Sequence, residues 1–115
     1  MAKPFYQLES VEGVSVVTLA LDNFLHGDNE KFMASFDGLL NEGHKKIILD
    51  LSSTVYVSSL ILASLVYIQK KAKDSGGDLV FCEVKNRVLE IIQVTNLDKV
   101  FTIVPTRAEA LGRFK

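Results

Sequence analysis

The sequence predicts an α/β fold: a mixed, mostly parallel sheet of about five strands that opens with an antiparallel hairpin and is packed by about four helices. Three observations predict it. Phe5 to Val11 and Val14 to Leu21 are apolar segments rich in β-branched residues, and Glu12-Gly13 between them is a tight turn that makes them antiparallel neighbours. Lys46 to Leu51 is a short continuous apolar run between a lysine pair and a hydroxyl cluster, the pattern of a central strand covered on both faces. Strands then alternate with segments of helical period, the order expected of a layered α/β domain.

The elements follow in order. Asp28 can cap a helix from about Asn29 to Asn41, whose Phe32, Phe36, Leu39 and Leu40 form one apolar stripe before Gly43 ends it. After the Lys46 strand, a second helix starts at Ser58 or Ser59 and runs to about Asp74, where Ser75-Gly76-Gly77 supplies the stop and the turn. Asp78 to Val84 is a fourth strand. Asn86 is a good N-cap for a short helix through Thr95, Asn96 suits the left-handed position after it, and Val100 to Val104 fits a last strand. Thr106-Arg-Ala-Glu109 reads as a capping box, which places a short helix with Ala110 and Leu111 at the end.

At 115 residues, with 48% apolar and 23% charged residues, the chain is expected to form one domain over residues 1–115. No apolar run approaches the roughly 20 residues that span a bilayer, and the start carries no secretory signal, so a cytoplasmic protein is expected. A net charge of −1 gives no footprint for nucleic acid. The lone Cys82 reads as a buried core thiol.

Enzymatic chemistry finds little support. His26 and His44 lie in polar loops with no spacing to each other or to a carboxylate pair, so neither a metal site nor a catalytic residue is expected. Gly76-Gly77 follows a helix and precedes a strand, the reverse of a phosphate-cradling loop. Lys70, Lys71 and Lys73 complement the negative end of the second helix. No cofactor is expected.

The second helix has more apolar residues than folding needs. Ile61, Leu65, Ile68 and Ala72 form a stripe that can pack on the sheet, yet Leu60, Leu62, Ala63, Val66 and Tyr67 are apolar as well and project sideways or outward. Either a neighbouring helix of the same domain or a partner protein covers them. At the head of this helix, Ser58 and Ser59 can serve as a cap, worth about 1 kcal/mol, or as something chemically more active.

The run Leu49-Asp-Leu-Ser-Ser-Thr-Val-Tyr-Val-Ser-Ser59, the apolar helix after it, the Gly-Gly turn, DLVFCEV, and the ending NLDKVFTIVPTRAEAL resemble the STAS domain of bacterial anti-sigma factor antagonists. The resemblance covers nearly the whole chain. It implies a STAS-like fold and a non-enzymatic switch in transcription regulation. Such a protein binds an anti-sigma factor that is also a serine kinase, is released by phosphorylation at the start of helix two, and is reset by a serine phosphatase. Ser59 matches the phosphorylated serine, with Ser58 the lesser candidate. Ser58, Ser59, Leu60, Leu62, Ala63, Val66 and Tyr67 form the expected partner surface. A phosphate adds roughly −1.5 to −2 charges, which a helix amino end tolerates, so binding rather than folding would be switched.

Two departures from the family pattern open an alternative. The usual Asp-Ser-Ser-Gly reads Val57-Ser58-Ser59-Leu60 here, and Asp22-Asn-Phe-Leu25 replaces a loop that usually carries glycine and a Leu-Asp pair. They fit a constitutive, non-phosphorylated subunit or scaffold, as in stressosome-like assemblies or a lipid-transport ATPase complex. Nucleotide binding is a more distant reading, since no phosphate loop is present.

Overall fold

The hairpin forms where the Glu12-Gly13 turn places it. In the computed structural model, which describes residues 6–19 and 28–114, β1 (Tyr6–Val11) pairs antiparallel with β2 (Val14–Leu19), and Val11 lies opposite Val14. Glu12 and Gly13 take φ of 51° and 82°, the left-handed pair that a two-residue hairpin loop requires. From β2 onward pairing is parallel, through β3 (Lys46–Asp50), β4 (Asp78–Cys82) and β5 (Thr102–Ile103). Strand order therefore follows chain order. The helices are α1 (Asp28–Asn41), α2 (Ser59–Asp74), α3 (Asn86–Val94) and α4 (Arg107–Gly112), which gives the expected mixed sheet and four helices.

Because strand side chains alternate, the sheet builds two cores. Ile47, Leu49, Leu79 and Phe81 enter the larger one with Phe32 and Phe36 of α1, Ile61, Leu65 and Ile68 of α2, and Val88 and Ile92 of α3. The predicted α2 stripe is the buried one. Val14, Val16, Ile48, Val80 and Cys82 enter the smaller core, closed by Ala110 and Leu111 of α4 and by Phe114 after it. Burial pushes the Cys82 thiol up to about 12, helped by the negative charge of Asp50 and Glu83, so it stays an unreactive core group.

The turn after α2 explains its glycines. Gly76 takes φ 80°, and a side-chain carbon on Gly77 would lie 2.4 Å from the Lys45 carbonyl oxygen. Only glycine lets the two backbones approach there.

Several boundaries differ from the sequence expectation for local reasons. β4 ends at Cys82 because Glu83 adopts φ 54° and leaves the extended region. Asn96 takes the expected left-handed position, but it leads into a single 3₁₀ turn, Leu97–Lys99. There the Leu97 carbonyl accepts the amides of Val100 and Phe101. Those amides are lost to the ladder, so β5 shortens to Thr102–Ile103. Lys85, not Asn86, occupies the N-cap position of α3, and no side chain caps that helix. Thr106 Oγ1 accepts the Glu109 amide at 3.1 Å, which is one half of the expected capping box; the Glu109 carboxylate returns no bond to the Thr106 amide among the described residues, and the free amide of Arg107 goes to Glu83 Oε2 at 2.7 Å.

Candidate functional site at the β3–α2 junction

The segment between β3 and α2 is pinned at every third residue. Leu51, Thr54 and Val57 are buried, and the residues between them face solvent. The Leu51 amide donates to the Cys82 carbonyl at 3.0 Å and the Thr54 amide to the Leu51 carbonyl at 3.0 Å. Thr54 Oγ1 donates to the Leu19 carbonyl at 2.8 Å, which ties the loop to the end of β2. Held this way, the loop presents Val55 and Tyr56 at 48% and 54% exposure.

At the head of α2 the two serines divide the work. Ser58, with extended φ and ψ of −86° and 168°, is the N-cap, and its Oγ accepts the Ile61 amide at 3.2 Å. Its carbonyl accepts the Leu62 amide at 3.0 Å. Ser59 is the first helical residue; its side chain is exposed and its hydroxyl takes no hydrogen bond among the described residues. In an α-helix the first amides lack intrahelical acceptors, and no acidic residue occupies the first turn of α2. A negative group on Ser59 therefore meets free N–H donors and the positive end of the helix.

The apolar excess on α2 has two fates. Leu60 and Tyr67, each 37% exposed, share an open face with exposed Ala63, at the i, i+3, i+7 spacing of one helix side. Lys71 Nζ lies 5.7 Å from the centre of the Tyr67 ring and extends that face with a cation. Val66 is half-buried against the larger core. Leu62 corrects the expectation: it is 6% exposed and belongs to that core, because α1 packs beside α2 and the core extends past the sheet-facing stripe. The neighbouring helix accounts for Leu62, and solvent meets Leu60, Ala63 and Tyr67.

Sequence reasoning missed the residues behind the loop. Asp50, 3% exposed at the end of β3, uses both carboxylate oxygens. Oδ1 accepts the Ser52 amide at 2.8 Å, and Oδ2 accepts Arg107 Nε at 3.0 Å and Nη2 at 2.9 Å. Arg107 also donates from Nη2 to Thr18 Oγ1 at 3.1 Å and from Nη1 to Glu9 at 3.4 Å. One guanidinium thus crosses β1, β2 and β3. Burial pushes the Asp50 carboxyl up, but its bonds to Ser52 and Arg107 outweigh that and hold it below the ordinary value. The only signal in the sequence is an aspartate closing an apolar strand, 57 residues from its partner.

The histidines stay apart from this junction. His44 Nδ1 pairs with Ser15 Oγ beside the hairpin, and Nε2 lies 3.6 Å from Glu42. Among the described residues no three metal-ligating side chains cluster, and no helix is long and apolar enough to cross a membrane. His26 and the Asp22-to-Leu25 segment lie outside the described residues.

Known proteins share this fold. The chain matches the STAS domain over residues 6–110. Two similar relatives are BtrV of Bordetella bronchiseptica and the TM1081 homolog of Thermotoga neapolitana. BtrV is 25% identical over 94% of this chain and 92% of its own. The Thermotoga neapolitana protein is 37% identical over 66% of this chain and 67% of its own. The crystal structure of a Thermotoga maritima protein superposes with a TM-score of 0.80 at 30% identity, covering 94% of this chain and 92% of that one. All three carry the name "putative anti-sigma factor antagonist". With its hairpin-led mixed sheet, its serine pair at the head of α2 and a family match spanning nearly its whole length, this chain belongs to the STAS domain family.

Proposed function

We propose that this protein is a regulatory binding module of the anti-sigma factor antagonist type, whose partner binding is switched by phosphorylation of Ser59. The observation that carries the reading is the division of labour at the head of α2. Ser58 spends its hydroxyl on the cap, whereas Ser59 offers an exposed hydroxyl, unbonded among the described residues, one residue later. Phosphate there sits at free helix amides, so the fold tolerates it. A partner seated over Ser59, Leu60, Ala63 and Tyr67 would instead trap a double negative charge in an apolar contact. Ser58, half-buried and already bonded, is the poorer acceptor.

The names of the relatives point to an anti-sigma factor as partner, and a switch at Ser59 calls for a serine kinase and an opposing phosphatase. The function is binding rather than catalysis. To test it, the protein is incubated with the candidate anti-sigma factor kinase and ATP, and phosphate is mapped by mass spectrometry. Binding is then compared for wild type, Ser59→Ala and Ser59→Asp. Phosphate on Ser59, with at least tenfold weaker binding by Ser59→Asp alone, is expected; equal affinities for all three would sink the switch.

One observation favours a constitutive subunit or scaffold as second reading. Leu60 is exposed beside Ser59, so the junction presents a lasting apolar side chain where the family pattern has Gly, while Val57, at the position of the usual Asp, is buried in the larger core and offers no charge. That reading requires stable copurification with a larger assembly and no phosphoserine in cells.

A further inference from the structure

Asp50 is shared between two tasks that involve opposite ends of the chain. Its Oδ1 receives the amide of Ser52, the second residue of the presenting loop, while its Oδ2 receives two donors from Arg107, the first residue of α4. The carboxylate is 3% exposed, so it cannot turn to water for a substitute partner. Arg107 is itself oriented from three further directions: Thr18 on β2, Glu9 on β1, and Glu83 through its backbone amide. Thr106 caps α4 through the Glu109 amide and sets where the guanidinium departs.

We infer that Arg107 is a positioning residue for the loop that leads to the partner surface: through Asp50 it fixes the start of the 51–58 segment at Ser52, upstream of the anchors at Thr54 and Val57. The docking of α4 and the shape of the site on the other side of β3 are therefore linked. With Arg107 in place, Asp50 is held as a fully ionised, oriented acceptor and Ser52 is anchored. With the guanidinium gone, a buried carboxylate must reorient or take up a proton, and either change weakens the Ser52 bond. The far end of the loop keeps its own anchors, Thr54 on the Leu19 carbonyl and Val57 in the core. Loosening should be greatest at Ser52 and Ser53 and fade toward Ser58.

The inference gives the proposed partner surface its support and rests on that reading for its functional meaning, but its test needs no partner. Amide hydrogen exchange is followed in wild type, Arg107→Ala and Arg107→Lys, with global stability of each measured in urea. Exchange at Ser52 in Arg107→Ala is expected to accelerate at least tenfold beyond that of the β3 amides Ile48 and Leu49. Arg107→Lys keeps the charge but not the planar fork, so it should recover only part of the protection, and it remains informative if the alanine variant folds poorly. Loop and core amides accelerating in step would overturn the inference, since a general loss of stability produces that. If the loop loosens while Ser59→Asp binds the anti-sigma factor kinase as wild type does, the positioning role stands and the phosphorylation switch falls.

Discussion

Two helices in this protein begin alike and are used differently. α2 and α4 both follow a strand and a short loop, and both are capped by a hydroxyl, Ser58 Oγ on the Ile61 amide and Thr106 Oγ1 on the Glu109 amide. The contrast is in the next residue. Arg107 spends its side chain on Asp50, Thr18 and Glu9, whereas Ser59 spends its hydroxyl on nothing among the described residues. Local helix chemistry does not separate the two starts. What lies beside them does: the back face of the sheet in one case and solvent in the other.

The contrast is sharpest in stability. Arg107→Ala leaves the Asp50 carboxylate buried without its main partner, and should cost about 3 kcal/mol, the lower end for a broken buried pair, because Arg107 itself is one third open. Urea denaturation measures it, and a loss under about 0.5 kcal/mol would place the pair among ordinary surface contacts.

Acid should reach the α4 end before it reaches α2. The folded Asp50 carboxyl titrates below its ordinary value of 3.8, so its contribution is fully present above that value and lost as pH falls through the folded one. Melting temperature measured from pH 7 downward should drop in this range, and Asp50→Asn should flatten the drop. An unchanged acid limb in the variant would refute the linkage.

The caps themselves come next. Ser58→Ala and Thr106→Ala should each cost about 1 kcal/mol, since each removes one hydroxyl acceptor from a helix amide. Smallest of all, Ser59→Ala should change stability by less than about 0.5 kcal/mol, the range of exposed positions without special contacts. A large loss at Ser59 would show that its hydroxyl supports the fold and would undo the contrast between the two helix starts.

Much of this was legible along the chain. The Glu12-Gly13 turn, the stripe of Ile61, Leu65, Ile68 and Ala72, the Gly76-Gly77 stop and the left-handed Asn96 all depend on interactions within a few residues, and all are found. Leu62 was misplaced because a helical projection registers the sheet but not α1 beside it. β5 came out short because the 3₁₀ turn claimed two of its amides, a competition that apolar content does not reveal. At the site, the sequence singled out the serine pair and the apolar frame. It left open which serine caps, since Ser58 and Ser59 are chemically identical and differ by one residue of helix register.

By itself, then, the sequence determined the order of elements, the family pattern and the pair of hydroxyls at the head of α2, because periodicity, turn residues and caps are properties of neighbouring positions. Only the tertiary structure decided that Ser58 is bonded while Ser59 is exposed and unbonded among the described residues, that Leu62 is core while Leu60 is surface, and that Arg107 reaches Asp50. The physical reason is distance along the chain. Asp50 and Arg107 meet across 57 residues, and only the folding of α4 onto the back of the sheet brings the charge to its partner.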